Sequence, residues 1–304
     1  MIHLHVGSGK AGSTSIQQFI AGMKNDSPVG RISAFGEAGH AWKLAVSLDS
    51  ARSRFYWVNK RKRVSDREYD DIVRTVWREA SREKERSGLE RFVASCEQIA
   101  GQCEFDALLA ETLASRLRGI FGEVHVIFYL RDQVSFLKSL YAQSVRGPTR
   151  SRKSFRAFIE TMDEAEHRWN YARKIAMWES VVGRDNLTVV PFDARNFFGG
   201  TLVGDFASRI GASSPSGAEG DAMPYANRSP GYGQLRILRM MNVTGVEAKT
   251  LRRVVESATV GAFFPAEFPE NYDATILWRV SKGNAWLNKR FFGDFQVGLP
   301  VEME

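Results

Sequence analysis

Short apolar runs alternate with amphipathic stretches along this chain. The apolar runs that predict buried strands lie at 2–7, 31–35, 91–96, 124–130 and 187–192. Helical spacing of apolar residues predicts helices at 14–24, 41–49, 66–87, 106–119, 133–146, 155–163, 168–182, 200–210, 231–242 and 247–258. Strands that alternate with helices are typical of a parallel sheet with helices on both faces. The pattern therefore predicts an α/β fold with a central parallel sheet.

The chain of 304 residues has a length that suits a single α/β domain. The segment that most resembles a linker is GASSPSGAEG at 211–220, whose small residues predict a flexible loop. We expect residues 1–210 to form an α/β core that binds the ligand, and 211–304 to form a mostly helical extension of the same domain. The helix at 66–87 is strongly charged, so we expect it to face solvent.

The first predicted strand runs directly into a glycine-rich turn that is followed by a helix. The turn at 7–15 reads Gly-Ser-Gly-Lys-Ala-Gly-Ser-Thr-Ser. Glycines let successive backbone N–H groups point inward, and the helix adds free amides and the positive end of its dipole. The pattern predicts that the amides of residues 12–15 hold a phosphate-like group and that Lys10 reaches a bridging oxygen. An ordinary turn with a solvated lysine has the same pattern.

The order of residues in this turn disfavours magnesium-dependent nucleotide hydrolysis. A nucleotide-hydrolysing loop places Ser or Thr directly after its lysine to hold the metal. Here Ala11 follows Lys10, and Leu4 stands five residues before Gly9, where that pattern has glycine. We therefore expect no metal at this loop.

A second motif begins where the apolar run 124–130 ends. Arg131 follows this run directly and opens a helical segment, and Ser139 lies eight residues further on. In an open parallel sheet the ligand-binding groups come from the carboxyl ends of strands, which predicts Arg131 on the same rim as the first loop. Eight residues are about two helical turns, so Ser139 returns close to the helix face nearest Arg131. Together the two side chains suit a second phosphate.

In these two motifs the chain resembles the sulfotransferases that use 3′-phosphoadenosine 5′-phosphosulfate (PAPS). Their 5′-phosphosulfate loop is usually written Lys-Thr-Gly-Thr-Thr-Ser, and it is similar to Lys10-Ala11-Gly12-Ser13-Thr14-Ser15 here. The pair of Arg131 and Ser139 resembles their 3′-phosphate motif. The change to Ala11 removes one hydroxyl contact, while the amides that do most of the binding are kept. The resemblance implies a P-loop nucleotide-kinase-like sulfotransferase fold, PAPS as co-substrate and no required metal.

A further resemblance concerns the bacterial branch of this family that modifies carbohydrates. The segment 171–192 is similar to a helix, turn and strand unit of that branch, and Asn227-Arg228-Ser229-Pro230 resembles another of its segments. The resemblance covers roughly the first two thirds of the chain. It implies transfer to a hydroxyl of a carbohydrate or glycolipid acceptor, such as a unit of a capsular polysaccharide, an exopolysaccharide or a lipopolysaccharide. It also implies that Lys10 neutralises the departing phosphate and that Ser139 restrains Lys10 until substrate is bound.

The general base that such a transfer needs is left open between two residues. Glu97 follows the predicted strand 91–96, so it belongs on the carboxyl rim of the sheet, where it could also orient the acceptor or pair with a basic residue. His40 lies in a loop after the second predicted strand, and an unperturbed imidazole pKa near 6.5 suits a base. Glu37 and His167 are further candidates.

The formal net charge of +7 suits an anionic partner, but it does not distinguish nucleic acid, an anionic membrane surface and an acidic small molecule. The densest basic cluster, at 60–63, is either a solvated loop or a rim that binds an acidic glycan. The basic stretch 146–156 is either an exposed loop or a lid over the nucleotide. We expect a carbohydrate or glycolipid partner, allow peripheral contact with a membrane surface, and expect no nucleic acid. Charge leaves the oligomeric state open.

The sequence also bears on compartment and metals. Before the first predicted strand we find no signal peptide, and the chain has no apolar stretch of about 18 residues or more. Together with only two cysteines, Cys96 and Cys103, this favours the cytoplasm. The cysteine spacing and the five scattered histidines match no zinc pattern.

Two other functions fit parts of the pattern. One is a P-loop kinase or nucleotide hydrolase with an atypical loop, which would bind ATP with magnesium. The other is a basic module that binds polyanions without catalysis and keeps only the fold. Lys10, Arg131 and Ser139 are all present, which disfavours a module that binds polyanions and has lost its catalytic site.

Overall fold

A five-stranded parallel sheet forms the centre of the protein. The structure, a computed structural model, describes residues 1–7, 9–24, 26–103, 106–161, 169–214, 231–245, 249–257, 268, 271–292 and 298–301. Its strands are β1 (Ile2–His5), β2 (Val29–Arg31), β3 (Arg91–Ser95), β4 (Val124–Leu130) and β5 (Leu187–Pro191). Their order in the sheet is β2-β3-β1-β4-β5, and neighbouring strands are parallel. The predicted α/β fold with a central parallel sheet is confirmed.

Helices connect and cover these strands. In chain order they are α1 (Ser13–Gly22), α2 (Trp42–Val46), α3 (Ala51–Arg54), α4 (Asp66–Ser87), α5 (Glu97–Gln102), α6 (Ala107–Phe121), α7 (Gln133–Arg146), α8 (Phe155–Glu160), α9 (Tyr171–Val182), α10 (Leu202–Ile210), α11 (Tyr232–Thr244), α12 (Lys249–Ser257) and α13 (Asn271–Phe291). A π-helical turn, Phe55–Lys60, continues α3. In the described ranges after residue 210 the regular secondary structure is helical, in α11, α12 and α13, while the grouping of this part with the core as one domain stays a prediction.

The register of the sheet brings three strand ends together. His5, the last residue of β1, pairs with Ser95 of β3 on one side and with Ile127 of β4 on the other. The chain passes from β1 to the edge strand β2, returns to β3, and then crosses to β4 beyond β1. The strand order therefore reverses at β1. Ligands of open α/β sheets bind in the crevice outside the carboxyl ends of the strands at such a reversal.

The sheet is buried on both faces. Side chains alternate along β4, so Phe128 packs with α6 and α9, while Tyr129 packs with α1 and α10 on the opposite face. Such burial of both faces explains why the strands read as continuous apolar runs in the sequence. The rigid sheet holds the loops at its carboxyl end in fixed positions.

The helices after residue 210 form a second apolar cluster around α7. Phe136, Leu137 and Tyr141 of α7 pack with Leu235 and Leu238 of α11 and with Ile276 and Val280 of α13. A buried amide pair adds to this packing, since Gln133 Nε2 donates to Asn284 Oδ1 at 2.6 Å and Asn284 Nδ2 donates to Gln133 Oε1 at 3.1 Å. The C-terminal helices therefore fix the position of α7 against the core.

The structure corrects several predicted boundaries. The strand expected at 31–35 is wrong, because β2 ends at Arg31 and Ser33–Phe35 form a 3₁₀ turn. The Glu83 carboxylate accepts hydrogen bonds from the amides of Ser33 at 2.7 Å and Ala34 at 3.0 Å, and these amides are therefore lost to the sheet. The helix expected at 155–163 ends at Glu160.

Helix α4 matches its predicted bounds, but its exposure is only partly as expected. A capping box starts it, in which Ser65 accepts from the Glu68 amide and the Glu68 carboxylate accepts from the Ser65 amide. Tyr69, Val76 and Ala80 are buried against the core, while the charged side chains lie on the other face. The expectation of a solvent-facing helix holds for that charged face alone.

Candidate anion-binding active site

The loop between β1 and α1 has the backbone of an anion cradle. Gly9, Lys10 and Gly12 all adopt left-handed conformations, with φ of 68°, 58° and 77°. Gly12 caps α1 without a side-chain hydrogen bond, so the first amides of the helix are left without a capping acceptor. Free amides and the positive end of a ten-residue helix favour an anion at this point.

Two buried polar atoms beneath the loop are unsatisfied. His5 Nδ1 lies 2.8 Å from Ser95 Oγ, but no described residue supplies a partner to His5 Nε2 or to Ser13 Oγ. Both atoms lie 3.0 Å from where a Cβ on Gly7 would stand, so they flank the same point of the loop. Burial lowers the pKa of His5 to about 3, which keeps its imidazole neutral. Unpaired buried polar atoms are costly, which makes this loop a candidate ligand site.

Gly12 permits the loop to pack closely against Leu202 at the start of α10 and against Phe192 after β5. A Cβ at this position would overlap Leu202 Cδ2 and would lie 3.0 Å from Phe192 Cε2. Its positive φ is also unfavourable for other residues. The glycine at this position is therefore required both by conformation and by packing.

Arg131 lies against this loop. Its Nη1 donates to the Lys10 carbonyl oxygen at 3.3 Å, although the two residues are 121 positions apart in the sequence. The Tyr171 hydroxyl donates to the Arg131 carbonyl oxygen at 2.9 Å, and Asp132 caps α7 by accepting from the Ser135 amide at 2.8 Å. These contacts fix the short segment in which β4 becomes α7.

The surroundings of Lys10 are strongly cationic. Although part of its side chain is exposed, crowding of the ammonium group by protein lowers the pKa of Lys10, and the nearby charges of Arg146 and Arg131 lower it further. Glu97 acts in the opposite direction and raises the pKa of Lys10. Lys10 therefore lies within electrostatic reach of Glu97 after β3, of Arg131 after β4 and of the last residue of α7. An anion bound here would relieve the repulsion among these cations.

Ser139 occupies the middle of α7 and is nearly buried, with 8% of its surface exposed. Within the described ranges, its hydroxyl has no recorded hydrogen bond to Lys10 or Arg131. The phosphate-binding role of Ser139 therefore stays a prediction. The same holds for the roles predicted for the loop residues.

Glu97 belongs to a chain of polar side chains at the end of β3. Gln17 Nε2 donates to Glu97 Oε2 at 2.6 Å, and Gln98 Nε2 donates to Glu97 Oε1 at 3.1 Å. His40 Nε2 lies 2.8 Å from Gln98 Oε1 and 3.9 Å from Glu97 Oε2. An amide oxygen only accepts, so the Gln98 orientation places the hydrogen of a neutral His40 on Nε2. The two candidate bases thus share one network.

The loop that carries His40 is tied to the same strand end. The Ala41 amide donates to the Ser95 carbonyl at 2.8 Å, and the His40 amide donates to the Glu37 carbonyl at 2.9 Å. The Glu37 side chain turns away and accepts from Arg63 Nη2 at 2.7 Å. Glu37 is thereby already paired, and His167 lies outside the described residues.

Two arginines of the basic cluster at 60–63 contact aromatic side chains of the neighbouring protein surface. Arg61 Nε donates to the Tyr56 hydroxyl at 2.9 Å, and the Arg63 guanidinium lies 4.4 Å from the centre of the Trp42 ring. These contacts favour an ordinary surface role over an acceptor rim for this cluster. The basic stretch 146–156 begins differently, because Arg146 is the last residue of α7 rather than part of a loop.

Sequence reasoning missed three contributors to the site. Gln17 follows the loop on α1 and binds Glu97, Tyr171 binds the backbone of Arg131, and the charge of Arg146 acts on Lys10. The signals were weak: Gln17 lies two residues beyond the loop, and Arg146 begins the basic stretch 146–156, two turns beyond Ser139. Neither spacing identifies a partner without the tertiary structure.

Two searches of the described ranges give further findings. They contain no group of three or more His, Cys, Asp or Glu residues arranged to hold a metal ion. Among the helices described above, none combines the length and apolar character needed to cross a membrane.

Comparison with known proteins gives limited guidance. No protein-family model matches this chain, and no curated protein matches it. Among solved structures, a sulfotransferase from Alicyclobacillus acidocaldarius is similar at a TM-score of 0.41 and 16% identity, over 83% of this chain and 95% of that chain. A likeness at this level does not define the activity of this chain.

Proposed function

We propose that this protein is a sulfotransferase that moves the sulfuryl group from PAPS to a hydroxyl of a carbohydrate or glycolipid acceptor. One observation carries the proposal. The glycine-rich loop, with Lys10 and the free end of α1, meets Arg131 through the 3.3 Å hydrogen bond to the Lys10 carbonyl, and the charge of Glu97 also acts on Lys10. Two cationic side chains and a carboxylate thereby act at one loop.

The residues at the loop fit the two ends of this donor. The amides of residues 12–15 and the Lys10 ammonium suit the 5′-phosphosulfate, and Arg131 suits the 3′-phosphate, with Ser139 beside it on α7. The unpartnered Ser13 hydroxyl supports this assignment, because a buried hydroxyl is stabilised when a ligand oxygen pairs with it. A donor with two separated anionic groups matches two separated cations better than a single phosphate does.

The chemistry is an in-line displacement at sulfur. The acceptor oxygen attacks, the new O–S bond forms as the bond from sulfur to the bridging phosphate oxygen breaks, and the acceptor proton passes to the base. The leaving group is 3′-phosphoadenosine 5′-phosphate, whose new negative charge lies beside Lys10. A preformed cation at that point lowers the barrier, as in phosphoryl transfer.

Glu97 is the better candidate for the base. Its carboxylate acts on Lys10, whose pKa it raises, and it binds Gln17 of α1 at 2.6 Å. His40 Nε2 is already engaged with Gln98 Oε1, and it contacts Glu97 only at 3.9 Å. In this assignment Gln17 and Gln98 orient the carboxylate, and His40 is a positioning residue. General base catalysis typically contributes about 10²- to 10⁴-fold to the rate.

Isothermal titration with 3′-phosphoadenosine 5′-phosphate in the absence of magnesium tests the donor assignment. We expect binding that Arg131→Ala weakens by about ten- to hundredfold, the usual cost of one or two charged hydrogen bonds. Arg74→Ala is a matched control, because Arg74 is an exposed arginine of α4 that pairs with Asp71 at 3.0 Å. The control should bind as the wild type does.

Parallel titrations distinguish the other functions. Binding of ATP with magnesium, without binding of the bisphosphate, would replace the proposal by a kinase or nucleotide hydrolase. Heparin binding that survives both Lys10→Ala and Arg131→Ala, with no bisphosphate binding, would instead indicate a module that binds polyanions.

A further inference from the structure

One polar face of α7 extends beyond the predicted phosphate site. Ser139, Gln143 and Arg146 are spaced by four and three residues, so they lie on one face of the helix. Ser139 is nearly buried, whereas Gln143 and Arg146 are exposed. Side chains of helical residues lean towards the N-terminal end of the helix, which directs the long Arg146 side chain back towards Ser139. This face forms an open polar strip that ends in a cation.

The charge of Arg146 acts on Lys10. Of the charged groups that lower the pKa of Lys10, Arg146 has the larger effect and Arg131 the smaller. Both arginines therefore act on Lys10, Arg131 from the segment before α7 and Arg146 from the last residue of α7. Arg146 is the cation whose role the donor assignment does not explain.

The C-terminal helices hold Arg146 in place. Its Nη2 lies 3.5 Å from Glu256 Oε2 of α12, and the Gln234 side chain of α11 donates to the carbonyls of Val255 at 3.0 Å and Glu256 at 3.2 Å. The carbonyl of Val145, next to Arg146, accepts from Asn242 Nδ2 at 3.0 Å. The end of α7 is thus built into the extension rather than left as a free surface.

The position of Arg146 suits an acceptor group better than the donor. It is seven residues beyond Ser139, about 10 Å along the helix axis, which exceeds the size of one phosphate. Its side chain is 36% exposed, and its bond to Glu256 is long, so one edge of the guanidinium is open to a ligand. A planar guanidinium binds carboxylate or sulfate oxygens in pairs, and a neutral sugar gives it little to bind.

We propose that Arg146 binds a carboxylate or sulfate ester of the acceptor, and that the acceptor is therefore an acidic carbohydrate. The inference rests on the proposed function, because that proposal assigns the other anion-binding residues of the site to PAPS. Arg146 becomes a residue that determines acceptor specificity, placed by Glu256.

Two oligosaccharide probes test this assignment by titration. One is a tetrasaccharide that contains glucuronic acid, and the other is the same tetrasaccharide with its carboxyl groups reduced to alcohols. Each is titrated with and without saturating 3′-phosphoadenosine 5′-phosphate. We expect the wild type to bind the acidic probe about tenfold tighter than the reduced one, the usual effect of one charged hydrogen-bonded contact.

Variants of matched arginines identify the residue responsible. Arg146→Ala should abolish the preference for the acidic probe, and Arg146→Lys should retain part of it. Arg156→Ala is the control, because Arg156 is an exposed arginine that pairs with Glu160 at 2.6 Å on the neighbouring helix α8. The control should keep the full preference and should bind 3′-phosphoadenosine 5′-phosphate within about twofold of the wild type. Arg146→Ala should lose much less bisphosphate affinity than Arg131→Ala does.

Several outcomes would overturn the inference. Equal binding of the two probes by the wild type, or no binding of either, would show that the site does not select an acidic acceptor. A large loss of bisphosphate affinity in Arg146→Ala would place Arg146 in the donor site instead. Failure of the wild type to bind the bisphosphate would refute the proposed donor, and the probe titrations without bisphosphate would still show whether Arg146 binds acidic sugars.

Discussion

Replacement of Gly12 by alanine should separate the conformational from the packing requirement of the loop. Gly12 has a φ of 77°, and a Cβ there would overlap Leu202 Cδ2 and approach Phe192 Cε2 to 3.0 Å. Gly9 provides the matched control. It has a φ of 68°, but a Cβ on Gly9 has no heavy atom of its surroundings within 4 Å. Both variants therefore share the backbone cost, and only one carries the steric cost.

The magnitudes follow from these two terms. A left-handed conformation costs an alanine about 1–2 kcal/mol relative to glycine. Insertion of an extra methyl group into a packed region adds about 1–3 kcal/mol. We therefore expect Gly9→Ala to lower the free energy of unfolding by about 1–2 kcal/mol and Gly12→Ala by about 2–5 kcal/mol. Gly12→Ala should also weaken binding of the bisphosphate more than Gly9→Ala does, because relief of the overlap shifts the loop amides.

Urea unfolding followed by circular dichroism measures both costs. The combination of Gly12→Ala with Leu202→Ala supplies the decisive test, because truncation of Leu202 removes the overlapping atom. In that background the cost of Gly12→Ala should fall towards that of Gly9→Ala. An equal cost for Gly12→Ala in both backgrounds would refute the packing argument. Equal effects of the two glycine variants in the wild-type background would do the same.

Three further predictions concern the network, the core and pH. Glu97→Gln should lower sulfuryl transfer from radiolabelled PAPS to an acidic oligosaccharide by about 10²-fold or more with bisphosphate affinity kept, and normal transfer by this variant would exclude Glu97 as the base. Asn284→Ala should destabilise the fold by about 1–3 kcal/mol in urea unfolding, because it leaves the buried Gln133 amide unpaired, while joint replacement of both residues by leucine should cost less. Burial lowers the pKa of His3 from 6.5 to about 4 and that of His5 from 6.5 to about 3, so the stability that their neutral forms contribute is complete above pH 6.5 and is lost as the pH falls towards these values. At pH 5 each histidine should lower the free energy of unfolding by about 2 kcal/mol relative to neutral pH. His3→Gln should remove part of this loss. Urea midpoints that do not change between pH 7.5 and pH 5 would contradict this reasoning.

The sequence was most informative where local chemistry decides the structure. The bounds of α4 follow from Ser65 and Glu68 at its start and Gly88 at its end, which satisfy the end groups of the helix without help from the rest of the chain. The glycines of the first loop likewise require a left-handed backbone wherever the loop lies. These features could be read from the order of residues.

The sequence was less informative where distant residues compete for the same groups. The amides of Ser33 and Ala34 look available for a strand, but the Glu83 carboxylate, some fifty residues away, binds them instead. Helix α13 escaped prediction because its apolar positions are interrupted by charged residues. Its core contacts, through Ile276 and Val280, exist only because α7 and α11 offer a complementary surface.

The α/β class, the phosphate-type loop and the placement of Arg131 and Glu97 after strands were all predictable from the order of residues. These follow from hydrophobic periodicity and from the position of polar residues at strand ends, which are local properties. Only the tertiary structure decided that Glu97 and His40 share one network, that Tyr171 fixes Arg131, and that Arg146 reaches the neighbourhood of Lys10. The physical reason is that the strand order of the sheet and the packing of the C-terminal helices set these distances, and neither is encoded in the spacing of residues along the chain.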